Sequence, residues 1–82
     1  MNLENNKIEK NPPEKEIKLI FNLFNSKKFN EAENKANKQI IKYPKSSILY
    51  NILGAISAGK NNLQEAINFY EKSIKIDVNY AQ

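Results

Sequence analysis

The stretch FNEAENKA at residues 29–36 is matched 34 positions later by LQEAINFY at residues 63–70. Both begin with a large apolar residue and carry Glu at the third position and Ala at the fourth. A pair of helices that recurs with a period near 34 residues is a signature of helical repeat proteins. The two stretches therefore predict a chain built from two equivalent helical units.

The sequence around these stretches predicts helices and no strand. Its apolar residues recur at separations of three and four, and no segment shows the two-residue alternation of a strand. Polar or glycine-containing clusters at 25–28 and 59–62 predict turns. Pro44 predicts a helix end, because proline restricts the residue before it.

Three polar residues predict where helices begin. Asn11, with proline after it, is typical of a helix cap, and Ser46 and Ser47 are candidate caps for a later helix. We therefore expect helices at about 12–25, 29–42 and 47–58, and a fourth from Leu63 onward.

The small residues of the repeat predict where its helices meet. Ala32 and Ala66 are expected at the closest approach of two helices, because a larger side chain would push the helices apart. The other residues expected in the core are Leu19, Leu23 and Leu53 between helices, and Tyr70 and Ile74 on the inner face of the last helix.

The composition disfavours several classes of function. The chain has no Cys and no His, and only two Gly, so it lacks the usual metal ligands, the usual general base and a glycine-rich phosphate loop. All 13 basic residues are Lys, whereas nucleic-acid readers rely on Arg for bidentate contacts. We therefore expect no catalytic residues, no metal, no cofactor and no nucleic-acid partner.

A longer pattern underlies the repeat. Tyr50-x-x-Leu53-Gly54 precedes Leu63-x-Glu65-Ala66-x-x-x-Tyr70, and Leu19, Leu23, Phe29-x-Glu31-Ala32 and Pro44 play the same part in the first unit. These residues resemble the tetratricopeptide repeat (TPR) family. The resemblance implies an all-α fold of two antiparallel helical hairpins, stacked as a short right-handed α-solenoid. Two departures from the family pattern are Ile20, where a small residue is usual, and Val78, where proline is usual.

The resemblance also divides the chain. Residues 13–46 and 47–80 are expected to form the two repeats, after a polar leader at 1–12. Residues 81–82 match the start of a third repeat, so we expect the chain to be the N-terminal part of a longer TPR protein. Self-association through the uncapped last hairpin is the alternative, because each hairpin needs a neighbour to cover its apolar face.

The family implies a protein–protein interaction scaffold rather than an enzyme. Its first helices line a concave groove that receives a peptide or a partner helix. The matching positions in this chain are Ile17, Phe21, Phe24, Asn25, Asn51, Ala55 and Ala58. The first three form an apolar stripe that suits a hydrophobic ligand. The stripe is alternatively covered by Leu3 or Ile8 of the leader, or by packing onto the second unit.

A second function remains open. TPR repeats also recruit substrates for larger enzymes, such as protein glycosyltransferases and sulfotransferases, in which case catalysis belongs to a domain absent from this chain. No segment resembles a signal peptide or a membrane span, so a cytoplasmic location and no membrane partner are expected. The first unit carries eight lysines against four acids. We interpret its lysine-rich outer face as a solvated surface, with weak attraction to acidic partners as the alternative.

Overall fold

A computed structural model describes residues 10–81 of the chain. Its helices are α1 (Glu14–Asn25), α2 (Phe29–Lys42), α3 (Ser47–Gly59) and α4 (Leu63–Ala81). All regular secondary structure in this range is helical, which confirms the all-α class. Most of the predicted leader, with Leu3 and Ile8, lies outside the described residues, as does Gln82.

The same backbone geometry ends α1 and α3. The Lys28 N–H donates to the Leu23 carbonyl at 2.9 Å, and the equivalent bond recurs 34 positions later from Asn62 at 2.8 Å. One residue before each donor, Lys27 and Asn61 have positive φ angles of 63° and 67°. A left-handed residue followed by such a bond is the Schellman motif, which satisfies carbonyls at a helix end. The turns therefore repeat at the same offset as the sequence.

Helix α3 is the centre of the core, since it contacts α1, α2 and α4. It is apolar on most of its surface, and its buried residues are Leu49, Tyr50, Ile52, Leu53, Gly54, Ile56 and Ser57. A helix of that composition is stable in water only when other helices cover it on several sides. The three amphipathic helices provide that cover.

Helices α3 and α4 run antiparallel, and two serine hydroxyls join them. Near the start of α3, the Ser73 hydroxyl donates to the carbonyl of Ser47 at 2.9 Å. Near the end of α3, the Ser57 hydroxyl donates to a carboxylate oxygen of Glu65 at 3.0 Å. Because both serines are buried, these bonds satisfy groups that would otherwise be costly to remove from water.

Small residues lie where the helices approach most closely, as the sequence predicts. Ala32 is fully buried and Ala66 is 3% exposed. In the second unit, a Cβ atom at Gly54 would lie 2.7 Å from a ring carbon of Tyr70. In the first unit, the equivalent pair reverses the sizes: Ile20 replaces the glycine and Ala36 replaces the tyrosine, and both are buried. The first unit thus has the large residue at the position of the glycine and the small residue at the position of the tyrosine.

Two residues expected in the core are exposed, and a third is on its border. Ile74 is 61% exposed and Leu19 is 39% exposed, so their assignment to the core is wrong. Tyr70 contacts Gly54 but remains 37% exposed. The side of α4 that faces α3 instead carries Ala66, Phe69, Ser73 and Ile76. Helical periodicity identified the apolar faces but not which of two adjoining faces meets a neighbour.

The predicted cap of the first helix is also wrong. Helix α1 begins after Pro13 without a side-chain cap. The Asn11 side-chain oxygen instead accepts a hydrogen bond of 2.6 Å from the buried Ser46 hydroxyl. Ser46 caps α3 as predicted, since its oxygen accepts the Leu49 N–H at 3.2 Å. Asn11 therefore ties the start of α1 to the start of α3.

Helix α4 is longer than its counterpart α2. Tyr43 and Pro44 follow the last residue of α2, Lys42, whereas α4 continues without a break to Ala81. Val78 stands at the position that matches Pro44, and valine retains the N–H that a helix requires.

The two Schellman turns predict responses to glycine of different size. Lys27→Gly is expected to raise the free energy of unfolding by about 1 kcal/mol, because glycine adopts positive φ without a Cβ clash. Asn61→Gly is the matched control and should change it by less than about 0.5 kcal/mol, because Asn tolerates this conformation. Urea unfolding followed by circular dichroism measures both changes in the free energy of unfolding. Equal changes for the two variants would contradict the view that Lys27 is strained at positive φ and Asn61 is not.

The reversed sizes at the helix contacts predict a compensating pair. Gly54→Ile is expected to lower the free energy of unfolding by about 2 kcal/mol, because the new side chain overlaps the Tyr70 ring. Adding Tyr70→Ala reproduces the arrangement of Ile20 and Ala36. The double variant should therefore lose less free energy of unfolding than the two single variants lose in total, by at least about 1 kcal/mol. Additive effects in a double-mutant cycle would disprove the size match.

Candidate protein-binding surfaces

The predicted groove residues of α1 differ in exposure. Phe21 is 43% exposed, whereas Ile17 and Phe24 are partly buried against the core. The centroid of the Phe24 ring lies 5.6 Å from that of Phe29, and the two rings are tilted, an arrangement that aromatic pairs prefer. Of the three residues in the predicted stripe, Phe21 is thus the one that projects most into solvent. Asn25, the last residue of α1, is also exposed.

The predicted groove residues of α3 are small or polar. Asn51 is exposed, and Ala55 and Ala58 are half-buried. Ala55 is the repeat equivalent of Phe21, so the second unit has a methyl group where the first has a ring. Because α1 contacts α3, the two helices can present their residues to a common ligand.

Within residues 10–81, one of the ion pairs is largely buried. The lysine-rich outer face of the first unit consists of five exposed residues in or beside α2: Lys28, Lys35, Lys38, Lys42 and Lys45. Lys60 bonds Glu33 at 2.9 Å, and both side chains are about three-quarters buried. This pair joins the end of α3 to α2. The Lys18–Glu14 pair at 3.9 Å is exposed and contributes little.

A second apolar surface lies on α4, and the sequence reasoning missed most of it. We call it the outer stripe; its residues are Leu63, Ile67, Tyr70, Ile74 and Val78, with exposures of 62%, 48%, 37%, 61% and 50%. They follow separations of three and four, so they share one helix face. The repeat contained the signal that would have found them, since Phe29 and Glu33, the residues that match Leu63 and Ile67, contact Gly59 and Lys60 at the end of α3.

The described part of the chain offers neither a metal-binding cluster nor a membrane-spanning helix. Residues 10–81 contain no cluster of acidic, His or Cys side chains that could hold a metal ion. None of the helices in this range is long and apolar enough to cross a membrane. The chain matches no protein-family model, no curated protein and no solved structure. The function must therefore be argued from the surfaces themselves.

The two phenylalanines of α1 predict different effects on stability. Phe24→Ser is expected to lower the free energy of unfolding by about 2 kcal/mol, because Phe24 packs against Phe29 and the core. Phe21→Ser should change it by no more than about 0.5 kcal/mol, because that ring is largely in solvent. Thermal and urea unfolding compare the variants, and a large loss for Phe21→Ser would place that ring in the core.

Proposed function

We propose that this chain is a TPR-like protein-interaction module, in which two antiparallel hairpins stack as a short right-handed α-solenoid. The ligand is a peptide or a partner helix, held on the side that α1 and α3 present together. The proposal is supported by the 34-residue repeat, which appears in the sequence and in the hydrogen bonds of both turns. The location of the binding site is inferred from one observation, the exposed ring of Phe21.

Phe21 supplies the apolar anchor of the proposed site. Aromatic residues dominate the binding energy of many interfaces, because one ring removes a large apolar area from water. A ring that is 43% exposed has such area still to bury. On α3, the half-buried methyl groups of Ala55 and Ala58 add small apolar surface for a ligand side chain.

Asn25 and Asn51 supply hydrogen bonds. Each exposed amide offers both donors and an acceptor, which match the N–H and carbonyl groups of a peptide backbone. Together with Phe21 they favour a ligand with an apolar side chain between exposed peptide groups. The excess of lysine in the first unit further favours ligands with acidic flanks, through long-range attraction that salt weakens.

The proposal is tested by selecting peptides from a random displayed library on the full chain. Phe21→Ser is expected to weaken binding of selected peptides by about 30-fold, the loss typical of an aromatic anchor. Ile41→Ser is the matched control, since Ile41 is an apolar residue of α2 that is 80% exposed. Titration calorimetry measures the affinities, and circular dichroism checks that both variants remain folded. Binding that survives Phe21→Ser but is lost in Ile41→Ser would reject the site.

A further inference from the structure

The outer stripe of α4 is the counterpart of a surface that is covered in the first unit. Its 34-residue equivalents are Phe29, Glu33, Ala36 and Ile40 in α2, and Pro44, which follows that helix and is exposed. The Phe29 ring lies against Gly59 of α3, and Glu33 bonds Lys60 at the end of that helix. Ala36 is fully buried, and Ile40 packs against the core. This side of α2 receives α3, whereas no helix within residues 10–81 covers the same side of α4.

The α1 helix of a second copy is a poor cover for the stripe. In α3, Leu49, Ile52 and Ile56 are among the residues buried in the core. Their equivalents in α1 are Lys15, Lys18 and Asn22, and all three are exposed. Docking α1 in the manner of α3 would place two lysine charges on an apolar surface, which is costly without a partner charge. Head-to-tail stacking of copies is therefore disfavoured.

The stripe is, by contrast, complementary to itself. From Leu63 to Val78 it reads aliphatic, aliphatic, aromatic, aliphatic, aliphatic, so its chemistry is the same in both directions around Tyr70. A two-fold axis near Tyr70 would place Leu63 of one copy opposite Val78 of the other, and Ile67 opposite Ile74. A two-fold interface requires this kind of self-complementary surface.

Charge is also compatible with such pairing. The five residues of the stripe are all uncharged, and nearby charged residues such as Glu71 and Lys75 are exposed at its border. Residues in this position form the polar rim of a typical interface and need not be desolvated.

We propose that the outer stripe is the contact surface of a two-fold symmetric dimer, in which α4 packs antiparallel against α4 of a second copy. The inference is independent of peptide binding, since it uses a different helix from Phe21. The stripe is roughly 22 Å long at 1.5 Å per residue. An interface of one helix pair is at the small end of specific interfaces, so a Kd on the order of micromolar is expected.

Sedimentation equilibrium of the full chain tests the dimer across a range of concentrations. The mass should rise from the monomer value of 9.5 kDa to twice that value. The double variant Ile67→Lys with Ile74→Lys should remain monomeric with unchanged helicity, because both positions are exposed in the monomer. Ile41→Lys is the matched control and should dimerise as the unmodified chain does. A chain that stays monomeric at about 1 mM overturns the proposal, because this lies far above the expected Kd.

Cross-linking tests the antiparallel arrangement, since the sequence has no cysteine of its own. A mixture of the single variants Ile67→Cys and Ile74→Cys should form a disulfide between the two different chains under mild oxidation. Each variant alone should cross-link at least tenfold less, because identical positions lie about 10 Å apart along the antiparallel helices. Preferential cross-linking within either single variant would overturn the two-fold arrangement. If the chain is a monomer and its Ile74→Cys variant does not react with thiol reagents, the dimer proposal is also overturned. That result would mean that other residues of the same chain cover the outer stripe.

Discussion

The burial of α3 is the constraint on which the rest of the structure depends. This helix is apolar on most sides, and its central residues Leu49, Leu53 and Ile56 are at most 2% exposed. No single amphipathic helix could cover such a surface, so α3 needs α2 on one side and α4 on another, with α1 contacting a third. The polar contacts of Ser46, Ser57 and Ser73 then fix α3 to the segments around it. A small chain can stabilise a core in this way by concentrating burial in one central helix.

The same stacking makes the two ends of the molecule chemically different. The side of α1 that matches the buried side of α3 carries Lys15, Lys18 and Asn22. The side of α4 that matches the covered side of α2 carries the outer stripe. One end therefore resembles the polar cap of a repeat array, and the other resembles its interior. The asymmetry separates two candidate surfaces: the side of α1 and α3 for a ligand, and α4 for a second copy.

Much of the fold could be predicted from the sequence. The predicted range of α2 is correct, and the other predicted helix ends are exact except for the start of α1 and the end of α3, which differ by two residues and one residue. Buried Ala32 and Ala66 lie where the repeat placed them. The groove residues could be proposed by matching repeat positions, but their exposure could not. Phe21 and Phe24 belong to the same predicted stripe, yet Phe24 packs against Phe29 while Phe21 projects into solvent. That difference depends on the rotation of α1 against α2, and a helical period alone does not determine it.

The sequence by itself determined the local structure: four helices, the turns between them and the 34-residue repeat that makes the turns alike. These features follow from spacing, proline and glycine positions, and capping residues, which act within a few positions of the chain. Only the tertiary structure decided which apolar faces are covered. In the folded chain, Ala66 and Phe69 face α3, whereas Ile74 is exposed to solvent. Asn11 does not cap α1 but accepts a hydrogen bond from Ser46. The reason is physical: an amphipathic face can be read from one helix, whereas burial depends on where its neighbours lie.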